Sequence, residues 1–139
     1  MLNLSEGWRK TYPEAYVGLL ALKGAVASED LFSFVEEKRA LEGRLRERYA
    51  GYDREGLKAH PTLAAYDAYY SEFRKTDHIL PQLETVVFKK KPISAPSPLV
   101  EAMFIAGLEY LLLAVGHDRD FGGDPSSPMW LGVMRNTRD

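Results

Sequence analysis

The chain has 139 residues, 45% of them hydrophobic and 27% charged, the size and composition of one globular domain able to bury a core of its own. It contains no cysteine, which excludes disulfides and thiolate metal sites, and its net charge of −2 excludes a general surplus of Lys and Arg for nonspecific nucleic-acid binding. The start, MLNLSEGWRKTYPEAY, has no basic flank before an apolar run and does not read as a secretory leader, and the longest apolar stretch, Leu99 to Val115, is broken by Glu101 and Glu109 and falls short of the roughly 20 residues of a membrane span.

A cytoplasmic protein with one domain over residues 1–139 is therefore expected. Residues Ala15 to Ala25, AYVGLLALKGA, form a short apolar run bounded by turn residues and predict a buried strand. Ser28 then offers a helix cap, and Leu31, Phe34, Val35, Lys38, Leu41, Leu45 and Tyr49 recur at helical spacing, so an amphipathic helix is predicted to about Tyr49. Its outer face is expected to carry Glu42 and Arg46, which can pair one turn apart.

Gly51 and Gly56 bracket a polar connector, and His60-Pro61 opens the next helix, since proline fits a first turn whose N–H groups have no partner anyway. Tyr66, Tyr69, Tyr70 and Phe73 make an aromatic stripe along it. Pro81 starts a short helix that ends in Lys89-Lys90-Lys91, and Ser97-Pro98 caps a last helix that runs to Val115 and is closed by Gly116. That helix is apolar nearly all round and is expected to be covered on most sides. Phe121 to Asp139, rich in Gly, Pro and Ser, shows too little pattern to complete a sheet.

Several side chains are candidates for chemistry. Glu101 and Glu109 lie a little over two turns apart on the apolar helix, where a buried carboxylate either takes a cationic partner or acquires acid–base character. The turn His117-Asp118-Arg119-Asp120 offers an imidazole and two carboxylates, but three such groups on one loop rarely converge on a metal without further ligands, and no metal site is expected. The tyrosines could stack a base or an aromatic amino acid, although core packing explains the same spacing. Lys89, Lys90 and Lys91, with Arg44, Arg46 and Arg48, could face phosphates, against the simpler reading of solvated helix ends. No phosphate loop, nucleophile elbow, HExxH or dinucleotide fingerprint occurs.

The succession HPTLAAYDAYY, a Pro-started helix ending FKKKPI, and SPLVEAMFIAGLEYLLLAVGHDRD resembles the free-standing relatives of the B3/B4 domain, the editing module of the phenylalanyl-tRNA synthetase beta subunit. The resemblance covers about half the chain. It implies an α+β fold, helix-rich, with a small sheet packed on a buried C-terminal helix, and it matches Val100-Glu101 and Asp118 to a Val-acid pair and a turn aspartate of the family. The chain departs from the pattern at Met103 and Phe104, which replace a Thr-Asn pair, and at Leu113-Ala114-Val115, which replaces a Pro-x-His approach and leaves His117 displaced by two places. The strand-rich second half of the relatives is replaced by Phe121 to Asp139, so a domain cut short at its C-terminal end is expected.

The implied function is a noncatalytic binding module for tRNA or an aminoacyl or amino-acid ligand, without cofactor or membrane partner. Its pocket is expected around the end of helix 98–115, with Asp118, Arg119, Tyr69 and Tyr70 at the ligand and Lys89, Lys90 and Lys91 at nucleic acid. A competing reading is an aminoacyl-tRNA deacylase in which Glu101, Glu109 or His117 positions water. A third is an interaction protein that dimerises to cover an incomplete sheet.

Overall fold

The computed structural model describes residues 4–22, 31–118 and 129–136; the side chains at 21–22, 31–33, 116–118 and 129–136 lie outside that description. In chain order the elements are α1 (Glu6–Thr11), β1 (Ala15–Leu22), α2 (Leu31–Arg48), α3 (Arg54–Lys58), α4 (Pro61–Glu72), α5 (Ile79–Val87), α6 (Pro98–Tyr110), β2 (Leu113–Asp118) and β3 (Met129–Asn136). The fold is α+β and helix-rich, with one small antiparallel sheet of order β1-β3-β2.

The core is mostly helical. Leu41, Leu45 and Tyr49 point inward at spacings of four from α2 and its end, and meet Leu57 of α3, Leu63 and Tyr66 of α4, Leu83 and Val86 of α5, and Ile105 and Leu108 of α6. Glu42, expected on the outer face of α2, is instead 5% exposed. Its Oε1 accepts the Ile93 backbone N–H at 2.7 Å, so the helix face turned to the link after α5 needs an acceptor where periodicity alone suggested solvent. Arg46 Nη2 stands 4.0 Å from its other oxygen.

Local signals set most helix starts. Pro61 stands in the first turn of α4 behind His60, and Ser97 Oγ accepts the Val100 N–H at 3.3 Å ahead of Pro98. Residues 51–56 are not a plain connector, because Asp53 accepts the Gly56 N–H at 2.7 Å and starts α3. Helix α5 begins at Ile79, two residues before Pro81, because Oδ1 of buried Asp77 accepts the N–H groups of both Ile79 and Leu80 at 2.9 Å. Ser28, and the end of the expected first strand beyond Leu22, lie outside the described residues.

Two expectations about the C-terminal half are corrected. The last helix stops at Tyr110 rather than Val115, Leu111 takes a left-handed conformation at φ 51°, and residues 113–118 form β2. Gly107 makes this reversal possible: a Cβ there would lie 3.1 Å from the Leu112 carbonyl oxygen, while its own carbonyl accepts the Leu112 N–H at 2.9 Å. The second correction concerns Phe121 to Asp139, which does complete the sheet. Its residues Met129–Asn136 form the central strand, pairing Ala15 to Leu22 on one side and Leu113 to Asp118 on the other.

The sheet touches the helical core chiefly through β2 and α6. Leu113 is buried, whereas Val115, two residues on and therefore on the same face, is exposed. At the opposite edge Tyr16, Leu19 and Leu20 of β1 are exposed. Helix α6 is covered on fewer sides than its composition suggested: Ile105, Gly107 and Leu108 are buried, Met103 and Phe104 are half-buried, and Tyr110 is exposed. No helix among the described residues is long and apolar enough to cross a membrane.

Candidate ligand-binding site

The helix-to-strand reversal leaves space beside it. A cavity of about 510 Å³ opens between the start of α5, one face of α6 and the first residues of β2. Val100, Met103, Phe104 and Gly107 line it at spacings of one, three and four along α6, Ile79 and Gln82 contribute from α5, and Leu112 to Val115 complete the wall. The lining residues with polar side chains are Tyr70, His78 and Gln82. A mostly apolar wall with a few polar groups, at a volume inside the roughly 300–1,000 Å³ of small-molecule sites, is the usual form of a ligand pocket.

The polar rim is held by an aromatic succession that starts in α1. Trp8 meets Tyr12 at 5.6 Å between ring centroids, Tyr12 meets Tyr69 at 5.1 Å, Tyr69 meets Tyr70 at 5.7 Å, and Tyr70 meets His78 at 6.2 Å, the last three edge to face. The tyrosine stripe of α4 is thus divided by direction. Tyr66 goes into the core, Tyr69 receives Tyr12 and meets Phe73 edge to face at 5.3 Å, and Tyr70 reaches the cavity. Burial pushes the Tyr70 phenol above its usual pKa, reinforced by Tyr69 and Asp77.

The two carboxylates of α6 point elsewhere. Glu101 Oε1 lies 2.5 Å from Lys38 Nζ, which also donates to the Ile93 carbonyl at 3.1 Å, and Glu109 accepts from Arg44 at 2.9 Å. Both are therefore held by cations of α2, and neither is among the described residues lining the cavity. His117 and Asp118 belong to β2, in register with Trp130 and Met129; their side chains, and Arg119 altogether, lie outside the described residues. No group of three or more His, Asp or Glu side chains able to hold a metal ion comes together among the described residues.

The basic candidates separate into two sets. Arg44 and Arg46 face Glu109 and Glu42, Arg46 also donates to the Val86 carbonyl at 3.0 Å, and Arg48 donates to the Glu109 carbonyl at 3.2 Å. Lys89, Lys90 and Lys91 are exposed at the end of α5. Gln82, His78, Met103 and Phe104 were not singled out as site residues by sequence. Gln82 and His78 carry no spacing signal, and Met103 and Phe104 read as core on an apolar helix.

The chain matches no family model, no curated protein and no solved structure.

Proposed function

We propose that this chain is a binding module of the B3/B4 type for an amino acid or aminoacyl group, free or carried on tRNA, with the ligand's side chain seated between α5, α6 and β2. The cavity of about 510 Å³ carries this reading. Val100, Met103, Phe104 and Ile79 suit an apolar or aromatic side chain, whose burial contributes roughly 25 cal/mol per Å². Tyr70, His78 and Gln82 supply donors and acceptors for the ligand's polar end without placing a charged side chain of α6 against it. Of the lining residues, Val100 belongs to the matched Val-acid pair, whereas Met103, Phe104 and Leu113 to Val115 stand where the chain departs from the family pattern, so the cavity rather than the motif supports the reading.

Calorimetric titration with the standard amino acids, and filter binding with aminoacylated and uncharged tRNA, tests the proposal. Saturable binding of a large apolar amino acid or its aminoacyl form, weakened by Phe104→Ala and blocked by Val100→Trp, is expected. Absence of binding by all of these ligands at millimolar concentration overturns it. A single-turnover assay on mischarged tRNA distinguishes the enzymatic alternative, which requires ester hydrolysis stoichiometric with protein.

A second reading, self-association, is favoured by one separate observation. Strand β1 is an edge strand whose sequence AYVGLLAL contains no charge or proline, and it exposes Leu19 on one face and Tyr16 and Leu20 on the other. A second copy pairing antiparallel through β1 would be self-complementary about a two-fold axis. Sedimentation equilibrium of the wild type and Leu20→Lys tests it: a wild-type monomer sinks this reading.

A further inference from the structure

Successive side chains of a strand point to opposite faces, so a strand that lines a cavity with one face contributes every second residue. Leu113, Ala114 and Val115 of β2 instead line the ligand cavity consecutively, continuing from Leu112. It is therefore the edge of β2, with its main-chain N–H and C=O groups, that borders the space. A second cavity, of about 450 Å³, shares Gln82 and Phe104 with the first but takes no described residue from a strand, which sets the first apart.

That edge has no ladder partner. On its other side β2 pairs with β3, Leu113 with Met134, Ala114 with Val133 and Val115 with Gly132, and no strand lies beyond β2 in the order β1-β3-β2. In an antiparallel pair only alternate residues turn both main-chain groups to the partner, so at least one of Leu113, Ala114 and Val115 directs its N–H and C=O to the open edge. Among the described residues no backbone bond outside the sheet uses these groups, whereas the Leu112 N–H just before them is taken by the Gly107 carbonyl at 2.9 Å.

Helix α6 stands across the space with Val100, Met103, Phe104 and Gly107. The two walls match in length, since Val100 to Gly107 spans roughly 10 Å of helix and Leu112 to Val115 roughly 10 Å of strand, room for three residues of extended chain. None of the described lining residues is Asp, Glu, Lys or Arg. The charge and the hydrogen-bonding groups of this slot are thus complementary to an uncharged, extended stretch of polypeptide, whose main chain continues the ladder while a side chain enters the apolar space.

We infer that the groove binds an extended peptide segment of another protein, paired to β2 through its main chain and seating one large apolar side chain in the cavity. This rests on the reading that the cavity takes an apolar side chain, and it names a polypeptide as the carrier. A free amino acid would leave the open edge of β2 unpaired.

Calorimetry on the full chain compares three probes: an acetylated and amidated pentapeptide with a central phenylalanine flanked by valine and threonine, the same peptide N-methylated at every residue, and free phenylalanine. N-methylation removes the main-chain donors and keeps the side chains. The plain pentapeptide is expected to bind about tenfold more tightly than either of the others, the effect of one or two hydrogen bonds. Phe104→Ala should weaken it, and hydrogen exchange should slow in its presence at one or more of the Leu113, Ala114 and Val115 amides. Free phenylalanine binding as tightly as the pentapeptide overturns the peptide and leaves amino-acid binding standing. Equal affinity of the plain and N-methylated peptides, or binding that leaves all three amides unprotected, overturns pairing to β2. Protection of these amides in the protein alone, lost on dilution, assigns the edge to a second copy and likewise overturns the inference. If no probe binds at millimolar concentration while the protein retains its thermal transition, the inference and the reading beneath it fall together.

Discussion

The Tyr66 hydroxyl donates to the Leu111 carbonyl oxygen at 2.6 Å, tying the middle of α4 to the left-handed residue where α6 turns into β2. Tyr66 is 1% exposed and Leu111 8%, so this bond lies in the core, one residue before Leu112 of the cavity wall. Tyr66→Phe keeps the ring and strands the carbonyl acceptor. Leaving a buried partner unsatisfied should destabilise the protein by about 1–3 kcal/mol, measured by urea denaturation, and a loss under 0.5 kcal/mol would show that water replaces the hydroxyl.

Lys38 and Glu101 form a second tie, between α2 and α6, with both side chains less than one-fifth exposed. Removing either partner leaves the other charge half-buried, so Lys38→Met and Glu101→Gln should each cost about 1–3 kcal/mol. The double variant should lose less than their sum, and the coupling in a double-mutant cycle should reach about 1 kcal/mol. This also bears on acid–base roles for Glu101. Unaltered stability in Glu101→Gln would mean that the carboxylate is not committed to Lys38.

Left-handed residues give a paired prediction. Arg74, at φ 55° just after α4, is exposed, so Arg74→Gly relieves the backbone and should stabilise by roughly 0.5–1 kcal/mol. Leu111 has nearly the same φ but its side chain is in the core, so Leu111→Gly should destabilise by about 2–4 kcal/mol in spite of the same relief. Opposite signs of the shift in Tm check the pair.

Tyr12 supplies a pH signature. Its hydroxyl donates to Glu72 at 2.6 Å, and chiefly this bond, helped by burial and the carboxylate's charge, pushes its pKa up to about 12 from an ordinary 10.0. The folded state holds the proton more tightly than the unfolded chain. The contribution to stability is therefore complete below pH 10.0 and is lost as pH rises toward 12. Absorbance titration of phenolate should show a tyrosine ionising near pH 12, and Glu72→Gln should move that step down. A titration identical in the two proteins refutes the assignment.

Much of the helical half is legible in the sequence because its determinants are local. Pro61 behind His60, Ser97 ahead of Pro98, and the four-residue recurrence of Leu41, Leu45 and Tyr49 each act within one or two turns. The run from Leu111 to Val115 is different, for an unbroken apolar stretch fits helix and strand alike. What decides it is remote: β3 offers ladder partners to residues 113–118, and Gly107 admits the Leu112 carbonyl. The charged groups show the same limit, since Glu42 at the Ile93 N–H and Glu101 at Lys38 look like surface positions until distant segments are brought against them. Tyr70 could be picked from its stripe, but Gln82 and Phe104 acquire meaning when two cavities are seen to share them.

The position of β3 gives the molecule an assembly order. Both outer strands pair with β3 and not with each other, and its ladder joins Ala15 to Asn136, from opposite ends of the sequence. During synthesis β1 is made before both other strands of its sheet, and it waits for β3 while α2 to α6 and β2 are made. The helical core has contacts enough among α2, α5 and α6 to form first, whereas the sheet closes in one late event that seats two strands together. Because β2 is also a wall of the cavity, the pocket reaches its final shape when the last strand arrives, and ligand binding should report completion of the fold rather than collapse of its core.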